Sequence, residues 1–122
     1  MGFTSVRIEL ENLTKKGVRR DTELLVDTGA LYSIVPGSLL RELAIEPTQE
    51  LEFELADGRL ILRGVGEARF FFDSRNAISN VVFGEPGDAA VLGVVTLEQL
   101  GLEVDPVHKR VKPARLILYK VV

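Results

Sequence analysis

Leu24-Leu25-Val26-Asp27-Thr28-Gly29-Ala30-Leu31-Tyr32-Ser33-Ile34-Val35 sets one acidic residue between two apolar runs. Apolar, β-rich runs on either side of a small-residue turn read as a strand delivering Asp27 to a tight turn and a second strand leaving it. Gly29 lacks a Cβ, so its own N–H can face the carboxylate and another chain can approach closely. Thr28 offers a hydroxyl, and Ala30 is small and adds no hydrogen bond. A carboxylate on a rigid turn can activate water when a second carboxylate lies beside it. Two such groups about 3 Å apart cannot both ionise and share one proton. The charged member takes a proton from water while the protonated one donates to the scissile carbonyl. The chain carries the motif once. Asp88 and Asp105 lack the strand–Asp–small–Gly context. The second carboxylate is therefore expected from a second copy, which makes the motif a statement about oligomeric state.

Outward from the turn, the dominant period is two. Val6, Ile8 and Leu10 alternate with Arg7 and Glu9 as a half-buried strand, Asn12–Gly17 reads as a turn, and Val18–Val26 leads into the motif. Lys15-Lys16 and Arg19-Arg20 bracket Gly17 and read as a solvated turn. Pro36-Gly37-Ser38 opens a short helix over Leu39–Leu43, left at Pro47. Leu51, Phe53 and Leu55 alternate with Glu52 and Glu54. Asp57-Gly58 then predicts a two-residue type I′ hairpin turn into Arg59–Leu62. Gly64 and Gly66 punctuate before strands at Glu67–Phe72 and Ala77–Phe83, and Gly84–Asp88 is a loop. Ala90–Leu92 is a short buried strand stopped by Gly93. Val94–Leu100 has helical spacing with Gly101 as its C′ residue. Leu102–Asp105 and Arg115–Val121 are expected as closing strands. Many short strands, Gly-rich turns and one or two short helices predict an all-β, closed barrel-like domain over residues 1–122.

Composition excludes several chemistries. The chain has 122 residues, no cysteine and one histidine, so a disulfide framework, thiol catalysis, a Cys-based zinc site and a His-rich metal site within one chain are ruled out. No metal and no cofactor is expected. A net charge of −3 without a dominant basic cluster argues against nucleic acid. No apolar run reaches the ~18 residues of a spanning helix, and the start lacks a signal-peptide core. The expectation is a soluble cytoplasmic protein without a membrane partner. His108 falls in a polar turn, Asp57 is read as a turn residue rather than a substrate contact, and Tyr32 as core.

Asp27-Thr28-Gly29-Ala30 after an apolar strand resembles the retroviral-type (retropepsin-like) aspartic proteases, half-size chains that work as homodimers. The resemblance extends to a flap hairpin, Leu51–Leu62 with its tip at Ala56-Asp57-Gly58-Arg59. It extends further to an apolar-apolar-Gly motif, Val91-Leu92-Gly93, before a short helix. From about Val18 to Asp105 the chain is similar to cellular and prokaryotic members of that clan. The resemblance implies an acid-protease fold with Asp27 as the catalytic carboxylate. It makes Thr28 a cross-subunit hydrogen-bonding residue, Gly29 a substrate-backbone contact and the terminal strand near Arg115–Val122 part of the dimer. Retroviral members carry an Asp after the Ala and an Arg after the second Gly as a buried pair. Leu31 and Val94 stand there in this chain, so both charges are absent together and neither is orphaned.

Two functions follow as expectations. One is a homodimeric aspartic endopeptidase acting on peptide or protein substrates. The other is a non-catalytic dimeric β module that binds extended peptides by strand addition.

Overall fold

A computed structural model describes residues 4–119. These residues form nine strands and two short helices: β1 (Ser5–Glu11), β2 (Arg19–Val26), β3 (Ser33–Pro36), α1 (Gly37–Glu42), β4 (Gln49–Glu54), β5 (Leu60–Phe72), β6 (Arg75–Gly84), β7 (Val91–Leu92), α2 (Val94–Gln99), β8 (Leu102–Asp105) and β9 (Arg110–Pro113). The main sheet runs β1-β2-β7-β3-β6-β5-β4, and an added β1–β5 pairing closes a ring through six strands, with β4 outside it. The all-β expectation holds. At β7 the ring is joined by two residue pairs to β2 and one to β3, so closure there is local rather than that of a regular barrel. No helix among the described residues is long and apolar enough to cross a membrane.

The period-two pattern of β1 is realised as read: Val6, Ile8 and Leu10 point inward while Arg7 and Glu9 face out. They meet Leu24, Val35, Leu40, Phe70, Val81 and Leu92 in one core. Burying a side chain of this size contributes roughly 1.5–3 kcal/mol, so this cluster carries the fold. The turn after β1 is tied to the end of α1, because Asn12 Nδ2 donates to the Leu43 and Ala44 carbonyls, each at 3.0 Å. Those carbonyls close a six-residue helix that has no glycine at its end, where Ala44 takes φ 58°.

Four local expectations are corrected. Gly64 and Gly66 do not break the chain, and β5 runs unbroken through both. They are there for space: a Cβ on Gly64 would stand 2.9 Å from Pro47 Cβ, and one on Gly66 2.8 Å from the Glu46 carbonyl oxygen. The Asp57-Gly58 turn is not type I′. Only Gly58 has positive φ, +87°. Gly58 N–H donates to the Leu55 carbonyl and Leu55 N–H to the Arg59 carbonyl, both at 2.8 Å, the pattern of a three-residue loop ending in a left-handed glycine.

The third correction concerns Arg115–Val121. Residues 115–119 form no strand, and the last three residues of the chain lie outside the described ones. The pairing instead falls on β9, which joins β8 in a separate two-stranded ladder from Leu102↔Pro113 to Asp105↔Arg110. Asp105 builds that turn, accepting from Val107 N (3.0 Å) and His108 N (3.2 Å) and meeting His108 Nδ1 at 2.7 Å. A short, charged strand ending in proline gave no apolar run to read. The fourth is Tyr32, which is half-buried rather than core.

The Asp105 cap has a pH signature. The His108 side chain, then the His108 and Val107 N–H groups, hold its carboxyl below the ordinary value. The folded state favours the ionised form, so this contribution is complete above about pH 4 and is lost as pH falls through the lowered folded value. Asp105→Asn should flatten the acid side of a Tm-against-pH curve. An identical acid limb in the variant would refute the assignment.

Candidate active site

Asp27 follows the last residue of β2. Its N–H donates to the Leu92 carbonyl at 3.1 Å, one step beyond Leu25 N–H on the Ala90 carbonyl at 3.1 Å. The parallel pairing of β2 with β7 (Leu25↔Val91, Val26↔Leu92) thus carries Val91-Leu92 along the strand that delivers the carboxylate. Ala30 N–H donates back to the Asp27 carbonyl at 3.1 Å and closes the turn. Gly29 N–H donates to Asp27 Oδ1 at 2.9 Å. A Cβ on Gly29 would stand 3.2 Å from that oxygen. The glycine is therefore where the carboxylate needs it, as the sequence implied.

The far side of the turn is fixed as firmly. Val94 N–H donates to the Ala30 carbonyl at 2.9 Å and Val95 N–H to the Leu31 carbonyl at 3.1 Å. Gly93 packs directly on this crossing. A Cβ there would fall 2.4 Å from the Tyr32 carbonyl carbon and 2.8 Å from the Leu31 oxygen. The two motifs read from sequence, 27–30 and 91–93, are one structural unit.

Asp27, Thr28 and Gly29 face solvent and Ala30 is half-buried. Neither rejected acid is free to serve as partner: Asp88 is engaged by Arg63 and Asp105 by His108. Leu31, the residue after the turn, is apolar and 58% exposed. No group of three or more His, Cys, Asp or Glu side chains suited to a metal ion occurs among the described residues.

The hairpin tip, Ala56 to Arg59, is exposed and shares no hydrogen bond with the turn. Asp57 is spent on its own loop, accepting from Arg59 N at 3.0 Å and Arg59 Nε at 2.8 Å. The Arg59 backbone N–H, then its side chain, hold this carboxyl below the ordinary range. What joins the hairpin to the Asp27 region is Phe53, whose ring meets Tyr32 edge-on at 6.5 Å between centroids. A pocket of about 680 Å³ lies elsewhere, between α1, the start of β4 and the 84–90 loop, and none of residues 27–30 lines it.

One set of residues escaped the sequence reading. Ser33, Ser79 and Thr96 are buried, and their hydroxyls form a chain: Ser33 Oγ to Thr96 Oγ1 at 2.6 Å, and Thr96 Oγ1 to Ser79 Oγ at 2.9 Å. Gly93 N–H donates into it through Ser33 Oγ at 3.0 Å. The network joins β3, β6 and α2 under the Gly93 crossing. The available signal was a hydroxyl residue inside each of two otherwise apolar runs. Thr96→Val keeps the shape, strands the Ser79 hydroxyl and leaves Ser33 Oγ with Gly93 N–H alone, so a loss of about 1–3 kcal/mol is expected in urea unfolding. A loss below about 0.5 kcal/mol would show that the network contributes nothing net.

No protein-family model and no curated protein sequence matches this chain.

Proposed function

We propose that the protein is a retropepsin-like aspartic endopeptidase, active as a homodimer. The observation that carries this reading is Asp27 itself: an exposed residue whose backbone is hydrogen-bonded to Leu92 and Ala30 and whose carboxylate accepts, among the described residues, only from Gly29 N–H. A rigid exposed carboxylate suits water activation only with a second one beside it. Two copies meeting about a two-fold axis bring the Asp27 side chains together, with Thr28 placed to bond across the axis. What supports a dimer, besides the single motif, is unsatisfied apolar surface: Leu116, Ile117, Leu118 and Tyr119 are 70–92% exposed in succession.

In this reading a water molecule lies between the two carboxylates. The ionised Asp27 takes a proton from it as its oxygen attacks the peptide carbonyl, and the protonated Asp27 donates to the carbonyl oxygen. The tetrahedral intermediate then collapses. The C–N bond breaks as the leaving nitrogen takes the proton from one carboxyl and a hydroxyl of the intermediate gives its proton to the other carboxylate, so the pair again shares a single proton. The β4–β5 hairpin acts as the flap that covers an extended peptide and excludes water. Neither metal nor cofactor is called for.

A second reading, a dimeric module that binds extended peptide without cutting it, is favoured by exposed Leu31, which offers no polar grip on a substrate backbone. Incubation with a mixed peptide library, alongside sedimentation of the same sample, separates the two. Cuts made by a dimer and blocked by pepstatin support the protease. Peptide held uncut by a dimer supports the module, and a monomer at micromolar concentration overturns both.

A further inference from the structure

From Gly64 toward its tip, β5 leaves the main sheet. Its pairing with β6 begins at Val65↔Val82, whereas its pairing with β4 continues to Glu54↔Leu60. Residues 50–54 and 60–64 therefore have only each other as ladder neighbours. A two-stranded hairpin alone is marginal in water, so its placement depends on what grips its base. Arg63 sits there. Its Nε donates to Asp88 Oδ2 at 2.7 Å and its Nη2 to Asp88 Oδ1 at 2.9 Å, and Nη1 lies 3.5 Å from Glu85 Oε2.

Asp88 is itself the organiser of the 84–90 loop. Its Oδ2 accepts Glu85 N–H at 2.8 Å, its N–H donates to the Glu85 carbonyl at 2.9 Å, and Gly87 turns between them with φ +93°. The guanidinium thus plugs into the carboxylate that shapes the facing loop. Pro47, Glu50 and Gly64 on the hairpin side and Gly84 to Ala90 on the loop side are opposite walls of the 680 Å³ pocket.

We propose that Arg63 and Asp88 are a positioning pair that fixes the β4–β5 hairpin against the 84–90 loop at the point where the hairpin leaves the sheet. Surface ion pairs usually contribute little. This one differs in being bidentate, which adds geometric specificity, and in having side chains only 15% and 23% exposed. The Arg63 hydrogen bonds hold the Asp88 carboxyl below its ordinary range, in keeping with that geometry. The placement stands on the contacts alone. Its consequence for cleavage rests on the protease reading: a loosened hairpin raises KM for peptide more than it lowers kcat.

Amide hydrogen exchange on the intact protein tests the pair without requiring activity. Arg63→Met and the milder, shape-preserving Asp88→Asn should each speed exchange about tenfold in residues 50–62, with β1 and residues 66–72 of β5 unchanged. The double variant should be no faster than either single one, because the two groups act as a unit. Unchanged hairpin exchange, acceleration spread evenly over the sheet, or additive effects would each overturn the proposal. Failure to cut any peptide would count against the protease reading and leave this result intact.

Discussion

Asp27→Asn should lower kcat/KM for any peptide the protein cuts by at least about 10³-fold, with no change in unfolding free energy beyond about 0.5 kcal/mol. The two halves of this expectation come from different facts. The carboxamide cannot take the proton from water, and in a dimer the substitution removes both members of the pair at once. The amide oxygen, however, still accepts from Gly29 N–H, and the side chain is exposed, so nothing in the core is disturbed. A sharper test uses mixing. If each site draws one Asp27 from each chain, equal amounts of wild type and variant that exchange freely leave about a quarter of the dimers intact. Specific activity per total chain then falls to about a quarter rather than to a half. A value of one half would mean that each chain carries a complete site, and activity surviving in the pure variant would falsify the role given to Asp27.

The parts of this fold that were legible in sequence are those governed by short-range pattern. Val6, Ile8 and Leu10 show their buried face by alternation alone. The coupling of Asp27 to Val91-Leu92-Gly93 was not legible from local pattern, because it depends on a parallel pairing between segments 66 residues apart, Leu25 with Val91. Apart from Tyr32 and the 115–121 run, what was misread or missed shares a cause: small or polar residues whose reason lies in a partner outside the local pattern. Gly64 and Gly66 look like breaks until the Pro47 side chain and the Glu46 carbonyl are seen lying across them. Asp57-Gly58 locates the hairpin turn, but the loop length is decided by Leu55 and Arg59 pairing outside it. Ser33, Ser79 and Thr96 each look incidental, and only the fold sets them 2.6–2.9 Å apart. Arg63 and Asp88, 25 residues apart, belong to the same class.

Gly93→Ala should cost about 3 kcal/mol or more, among the largest losses available from one added methyl group. The cause is not conformational. Gly93 has φ −82° and ψ 168°, extended geometry open to any residue. The added Cβ would lie 2.4 Å from the Tyr32 carbonyl carbon, 2.6 Å from its oxygen and 2.8 Å from the Leu31 oxygen. All three are backbone atoms, so no rotamer change relieves the overlap and one chain must move off the other. Moving either one strains the bonds that hold the turn: Gly93 N–H to Ser33 Oγ, Val94 N–H to the Ala30 carbonyl and Asp27 N–H to the Leu92 carbonyl. Stability and the carboxylate's placement therefore fail together. Gly58→Ala supplies the contrast. Gly58 has open space around its Cβ position but φ +87°, so it should lose only about 1–2 kcal/mol from backbone strain and leave the Asp27 turn untouched. Urea midpoints for the two variants decide the matter. If Gly93→Ala proved no worse than Gly58→Ala, the close crossing at residues 31–32 would not be what holds the Asp27 turn in place.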